Sequence, residues 1–261
     1  MIDFHNHVIP KLDDGSKSLE MTIKMLKEAE RQGITDVVNT VHYQHPKMES
    51  KNTSYNFVQT ELDKLNLELA KQNIDINIHL GTEVFFKFNL TKILDNPLTT
   101  IGNSKYMLIE FQRLSFPKGY EDEIFKLQLQ GITPIIAHPE RYRPIQKDLN
   151  ILKRWIERGY LVQIDCGSIL GKFGKETQIC SSNMVENELC HIVGSDAHND
   201  RNRNFLLEDT YKILEQKIGS RATNILKNNS NCILSGKKCD SYQLNKKKIK
   251  FKNRLLNLFF K

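Results

Sequence analysis

The sequence has no Cys-x-x-Cys pair, and its five cysteines (Cys166, Cys180, Cys190, Cys232 and Cys239) are an odd number. Neither a disulfide framework nor a thiolate zinc knuckle is indicated, so they read as reduced, structural thiols, Cys166 included. No apolar run approaches the roughly 20 residues of a membrane-spanning helix. No signal peptide precedes the strand pattern that starts at Met1, and the expected location is the cytoplasm. A basic body is also missing. The formal net charge is +7, but residues 237–261 hold nine Lys or Arg against Asp240 alone, a net +8, which leaves −1 for the rest. Positive charge belongs to the tail, and a nucleic-acid footprint on the folded body is not supported.

What is present is a repeated strand-then-helix pattern across 261 residues, enough for one large domain. Ile2 and Phe4 alternate with Asp3 and His5, which is strand spacing, and His5 and His7 fall together at the strand's end. Pro10, Asp13, Asp14 and Gly15 then form a turn that can fold a carboxylate back toward those imidazoles. Ser18 caps a helix with apolar Leu19, Ile23, Leu26 and Ala29, closed by Gly33. Strands are expected at 36–42, 76–83, 106–110, 133–138, 161–165 and 191–196. Helices are expected at about 53–72, with Phe57, Leu62, Leu65 and Leu69 buried, and at 121–130, 148–158, up to 188, 205–218 and 221–227.

Seven such units predict a parallel sheet with outer helices, closed or nearly closed into a barrel. In barrels the C-terminal strand ends share one mouth, where chemistry collects. Six of the seven expected strands bring a candidate His, Glu or Asp ligand there; the strand ending Ile164-Asp165-Cys166 is left without an assigned role. His5, His7, Asp14, His42, Glu83, Glu110, His138, Asp196 and His198 would crowd this mouth. Imidazoles and carboxylates so packed repel or shift their pKa values severely, whereas two or three divalent ions satisfy them. Nitrogen and oxygen ligands without Cys suit Mn²⁺, Fe²⁺, Zn²⁺ or Mg²⁺. A multi-metal site implies hydrolysis by metal-bound water, most often of phosphate esters, and Arg141 with Arg203 or Arg201 could hold phosphate oxygens.

The motifs His5-Asn-His7 with Asp13-Asp14-Gly15, Thr40-Val-His42, strand-end Glu83 and Glu110, His138-Pro-Glu-Arg141-Tyr142 and Gly194-Ser-Asp196-Ala-His198-Asn199 together resemble the PHP (polymerase and histidinol phosphatase) superfamily. Within it they are similar to the bacterial manganese-dependent tyrosine phosphatases of capsule and exopolysaccharide loci, over roughly residues 1–236. The resemblance implies a distorted (β/α)7 TIM-like barrel with a three-ion centre, Mn²⁺ first among the candidates. It implies the nine metal ligands named above, with Glu83 bridging, His42 and His138 also counted as catalytic, and Arg141 and Arg203 binding phosphate. Local spacing leaves Asp13 open beside Asp14, and Arg201 beside Arg203. The implied partner is a phosphotyrosine-bearing protein, a cytoplasmic tyrosine kinase tail that the phosphatase resets.

No cysteine has an arginine six residues on; those positions are Lys172, Glu186, Asp196, Lys238 and Asn245. Covalent phosphocysteine chemistry is thereby disfavoured. Three alternatives remain open: a small-molecule phosphatase such as one acting on histidinol phosphate, a nuclease, disfavoured by the uncharged body, and a catalytically silent interaction module. Tyr55, Phe111, Phe116 and Tyr120 are candidates for an aromatic rim around a phosphotyrosine ring. The tail, 237–261, mixes basic and apolar residues, which suits either an anionic membrane surface or a terminal helix docked on the barrel.

Overall fold

The chain is described here by a computed structural model covering residues 1–48 and 50–241. Seven parallel strands pair in sequence order: β1 (Ile2–Asn6), β2 (Asp36–Tyr43), β3 (Asn77–Phe85), β4 (Tyr106–Glu110), β5 (Thr133–Ala137), β6 (Leu161–Asp165) and β7 (Ile192–Gly194). Helices α1 (Leu19–Arg31), α2 (Tyr55–Lys71), α3 (Tyr120–Leu129), α4 (Arg143–Lys147), α5 (Asn150–Glu157), α6 (Cys166–Ile169), α7 (Lys175–Glu186), α8 (Leu207–Ile218) and α9 (Ser220–Leu234) surround them. The sheet closes at the mouth end. Asp196 donates its backbone N–H to His5 (2.7 Å) and His7 donates to Ala197 (2.8 Å), so the ends of β1 and β7 are joined there.

The period of two along the strands builds the interior in layers. Phe4, Val38, Leu108, Ile135 and Ile192 belong to a small apolar cluster inside the barrel. Further along the same faces come Glu110 and Gly194, one step on, and His42, two steps on, at the mouth. The larger apolar cluster lies between the sheet and the helices, with Trp155, Met184 and Leu214 among its fully buried members.

Local signals set most boundaries. Ser18 Oγ accepts from Met21 N at 3.2 Å and starts α1, and Ser54 Oγ accepts from Phe57 N in α2. Three expectations differ from the structure. Val58 is the residue fully buried with Leu62, Leu65 and Leu69 on the inner face of α2, and Phe57 packs only partly buried against the same cluster. The loop after β6 contains a short helix, α6, whose N-cap is Asp165: its Oδ1 accepts from Gly167 N at 2.8 Å. The final helix runs on to Leu234, seven residues past the expected 227, because its buried face extends through Asn229, Ser230 and Ile233.

Of the four candidate rim aromatics, Phe111 lines the mouth cavity, whereas Tyr55, Phe116 and Tyr120 do not. Phe111 is 1% exposed and packs with Phe86, Phe116, Tyr120, Tyr142 and Trp155, and Trp155 Nε1 donates to Tyr120 Oη at 2.9 Å. These rings fill the space outside the sheet, and Tyr55 lies on α2 beside the outer groove of Gln59 and Ile78. After α9 the chain stays on the barrel floor: Tyr106 Oη donates to Lys237 O, and Asp240 N donates to Asn229 Oδ1. Positions 242–261, and with them most of the basic tail, lie outside the described residues.

Between β6 and β7, His191 is buried as a neutral acceptor, its Nδ1 taking the Val162 N–H at 3.1 Å. Burial pushes its pKa down to about 4. An unfolded histidine titrates near 6.5, so the unfolded chain takes up the proton first. Stability from this group is present above about pH 6.5 and is lost as the pH falls toward 4. Between pH 7 and pH 5 the wild-type protein should lose about 2 kcal/mol more stability than His191→Asn. Urea unfolding at the two pH values measures the difference.

Candidate metal centre

All nine expected ligand residues converge at the barrel mouth, although they come from strands spread over the whole chain. Their donor atoms fall into four overlapping groups: His7, Asp14, His42 and His198; His5, His7 and Asp196; His5, Glu83 and His138; and His42, Glu83 and Glu110, with the atoms of each group within 4.8 Å of one another. His5, His7, His42 and Glu83 each belong to two groups. Glu83 is central: its Oε2 faces His5 Nε2 (3.3 Å), His7 Nε2 (3.6 Å) and His42 Nδ1 (3.2 Å), while its Oε1 faces His138 Nε2 (2.8 Å).

The backbone is bent to achieve this. The register of β1 against β2 shifts between Asp3 and Asn6, the kind of irregularity that re-aims a side chain, so His5 reaches the mouth although Phe4 beside it faces the apolar interior. His138 (φ 30°) and Asp196 (φ 49°) adopt left-handed conformations that cost a non-glycine residue energy. Gly15 passes so close to His7 that a Cβ there would lie 2.3 Å from the His7 carbonyl oxygen. Only glycine allows the Asp13-Asp14 turn to fold against this histidine.

Hydrogen bonding decides which way the imidazoles point their lone pairs. Gln163 Oε1 takes the His138 backbone N–H at 3.2 Å while its Nε2 donates to Ile164 O, so the amide orientation is fixed. Oε1 is therefore the acceptor facing His5 Nδ1 at 3.1 Å, and that nitrogen carries the proton. His7 Nδ1 likewise donates to Asp13 Oδ2 (2.7 Å), and His198 Nδ1 to the Asp196 carbonyl (2.9 Å). Each ring so held, when neutral, turns a bare Nε2 inward, and those of His5 and His7 stand 3.4 Å apart. Two lone pairs facing each other beside buried carboxylates need a cation between them. His42 Nδ1, His138 Nδ1 and Glu110 Oε2 are buried without hydrogen-bond partners. The donor set therefore fits divalent metal, and borderline or hard ions in particular.

Charge shifts follow from the same crowding. Burial, and then Glu83 beside it, pushes the Glu110 carboxyl up to about 8. Burial opposes ionisation of Glu83 too, but His5 and His42 hold it well below the usual carboxylate range. His138 is lowered to about 4 by burial and by Arg141.

The two open choices separate by geometry. Asp14 Oδ1 lies 3.2 Å from His42 Nε2 and 3.4 Å from His198 Nε2, whereas Asp13 sits behind, holding His7 Nδ1 and the His42 N–H. Arg203 Nη2 donates to Asp196 Oδ2 at 2.5 Å; Arg201 is exposed on the loop outside. Arg141 Nη1 reaches the same Asp196 oxygen at 2.8 Å, and its Nη2 contacts Asp165. Asp165, the strand end without an assigned role, thus anchors an arginine. Gln163 and Asp165 were both legible as polar residues on one face of an otherwise apolar strand. His45, Phe85 and Phe111 also line the mouth cavity of about 530 Å³; Phe85 follows Glu83 on the same face of β3, and His45 lies in the loop beyond β2. Cys166 is fully buried and its thiol is pushed up by that burial, which keeps it out of the chemistry.

Fold and mouth together define the class: a PHP-type (β/α)7 barrel that carries overlapping candidate metal-binding clusters at the C-terminal ends of its strands. The chain belongs to the family described as capsular polysaccharide synthesis, CpsB/CapC, which matches residues 1–235. It is 35% identical over 235 residues to the tyrosine-protein phosphatase YwqE of Bacillus subtilis, covering 90% of this chain and 91% of that protein. It is 30% identical over 230 residues to the tyrosine-protein phosphatase CpsB of Streptococcus pneumoniae, covering 85% and 92%. A crystal structure from work on these two proteins, described as metal-dependent tyrosine phosphatases, matches with TM-score 0.88 at 33% identity, over 94% of this chain and 98% of that one. Histidinol phosphate phosphatase of Lactococcus lactis shares the fold at TM-score 0.53 and 16% identity, over 83% of this chain and 92% of that one.

Metal added to the purified protein should raise its melting temperature, since a ligand that binds only the folded state at 100 times its Kd stabilises by about 2.7 kcal/mol. Glu83→Gln should lose most of that shift while melting as a folded protein without metal. Differential scanning calorimetry with Mn²⁺ or chelator reads both.

Proposed function

We propose that this chain is a metal-dependent protein-tyrosine phosphatase, with Mn²⁺ the preferred ion and Fe²⁺, Zn²⁺ or Mg²⁺ also suited to the donors. The observation that carries the reading is the placement of two arginines against the edge of the ligand cluster: both meet Asp196 Oδ2, while Asp196 Oδ1 faces His5 and His7, each at 3.5 Å. An anion entering the mouth therefore meets the guanidiniums and the ligand cluster together. The relatives' named activity supports phosphotyrosine over histidinol phosphate as the substrate class.

When bound, the ions would supply Lewis acidity and an activated water. His5, His7, Asp14, His42, Glu83, Glu110, His138, Asp196 and His198 would hold them, with Glu83 spanning neighbouring sites. The chain's own part is positioning. Arg141 is held by Asp165 and Asp196, and Arg203 by Asp196, so the guanidiniums are oriented before substrate arrives, which lowers the entropy lost on binding phosphate. The Nε–H groups of Arg141 and Arg203 are buried and have no protein acceptor among the described residues. Those donors are available to phosphate oxygens, in the planar geometry that guanidinium offers. His42 and His138, at the edge of the cluster facing the cavity, would orient the attacking and leaving oxygens.

The partner in this reading is a phosphotyrosine-bearing protein, a cytoplasmic bacterial tyrosine kinase tail that controls capsular polysaccharide synthesis. No helix among the described residues is long and apolar enough to cross a membrane. Residues 1–236 would be the catalytic barrel, and the basic 237–261 stretch would bring it to an anionic membrane surface. Deleting residues 242–261 should leave peptide turnover intact and reduce sedimentation with phosphatidylglycerol vesicles; unchanged sedimentation would remove the membrane role.

The main test is phosphate release from a phosphotyrosine peptide, with Mn²⁺ present or chelated, beside histidinol phosphate and a phosphoserine peptide. Release should require metal and phosphotyrosine. Arg141→Ala or Arg203→Ala should lower kcat/KM by roughly 10²-fold to 10³-fold, as losing a preorganised donor does elsewhere, and His138→Ala at least as much. Arg201→Ala should stay within about threefold of wild type. Turnover of histidinol phosphate but not the peptide would overturn the substrate assignment.

A further inference from the structure

The loop between α6 and α7 carries an aromatic ring that the barrel's packing does not account for. Phe173 is half-buried, yet it belongs to neither apolar cluster. Its ring instead covers guanidiniums. The Arg141 guanidinium carbon lies 4.1 Å from the ring centroid, and that of Arg203 lies 5.8 Å away. The loop is shaped to seat the ring there. Gly171 (φ 77°) and Gly174 (φ 90°) flank it in left-handed conformations, and Lys172 N donates to Gly167 O at 2.8 Å, which ties the loop to α6. Beneath the ring, a Cβ on Gly167 would lie 2.4 Å from the Phe173 edge, so that position must remain glycine for the ring to sit down.

The electrostatics give this contact a purpose. Arg141 and Arg203 share one carboxylate oxygen, Asp196 Oδ2, so two like charges are drawn together at a single acceptor. Arg141 has a second anchor in Asp165 and is almost fully buried; Arg203 has 32% of its side chain exposed and no second carboxylate among the described residues. A ring face presents negative charge to both cations and covers the guanidinium faces while leaving their edges free to donate.

We propose that Phe173 is a positioning residue that holds Arg141 and Arg203 converged for phosphate. The proposal rests on the phosphatase reading for its substrate but not for its geometry. Phe173 acts through the arginines and does not touch the reacting atoms, so it governs affinity for the phosphoryl group more than the rate of its transfer.

The test uses the full chain loaded with Mn²⁺, as wild type, Phe173→Ala, Phe173→Leu and Phe173→Tyr, with inorganic phosphate as the probe. Calorimetric titration should show phosphate bound more weakly by Ala and Leu, on the order of threefold to tenfold, the range a partly desolvated cation–π contact supports. Tyr should bind like wild type. Melting temperatures and metal content of all four should agree, and KM for a phosphotyrosine peptide should rise in Ala and Leu by the same factor with kcat changed less. Phosphate affinity unchanged in Ala and Leu overturns the proposal, even if peptide KM rises, because the ring would then be contacting the substrate's own aromatic group. Wild-type affinity in Leu, or a loss in Tyr equal to that in Ala, also overturns it, as does wild-type protein that binds no phosphate. Weakened phosphate binding in Ala and Leu, without peptide turnover by any of the four, would uphold the proposal and overturn the tyrosine-phosphatase reading.

Discussion

A carboxylate surrounded by imidazoles is the constraint on which the rest of this structure depends. Glu83 is 1% exposed and has four histidines within 3.6 Å, three of them meeting the same oxygen. Burying such a group is expensive unless its charge is met, and with Nδ1 of His5 and His7 bonded from behind, the nitrogens left to meet it are their Nε2 atoms, which can carry a proton or a metal ion. Gln163 and Asp13 enforce that arrangement from behind the rings. The cluster is consequently incomplete by itself and suited to cations, and its cost is met by the packing of a large apolar shell outside the sheet.

The barrel contributes direction. Parallel strands end on one side, so each can deliver one polar side chain above an apolar layer, and chain connectivity then matters little to the site. Where plain strand geometry does not aim correctly, the backbone gives way: a register irregularity in β1 for His5, left-handed φ at His138 and Asp196, and glycine at positions 15 and 167 where a side chain would block a close approach. These local costs lie at the mouth, as expected where strain serves a site.

Asp196 joins the two halves of the proposed chemistry. One oxygen belongs with the histidines and the other with the arginines, so a change in the cluster is felt by the phosphate-facing groups through a single side chain. Asp165 and Phe173 then fix the arginines from an edge and a face. The same electrostatic logic therefore runs from β3 to the α6–α7 loop: each buried charge has a neighbour chosen for position, and each neighbour is itself held.

By itself the sequence determined the strands, their order and the nine residues at their ends, because alternation of period two and strand-end His, Asp and Glu are local patterns that survive without knowledge of contacts. It also carried the motif spacing that places the chain among capsule-locus phosphatases. Only the tertiary structure placed Asp14 beside His42 and His198 with Asp13 behind His7, and Arg203 against Asp196 with Arg201 exposed, since neighbours in sequence point to different sides of a turn according to what the turn packs against. Asp165 and Gln163 showed in the sequence only as polar residues on an apolar strand, and Phe173 not at all: the mouth groups they hold lie 24 or more residues away, and a role defined by the far edge or face of another side chain leaves no period in the sequence. The aromatic run from Phe111 to Tyr120 was decided by packing in the converse way. Its composition suited a rim, but only Phe111 among them reaches the cavity, while Phe116 and Tyr120 pack against Trp155, and burial is a property of the folded surface rather than of the residues that form it.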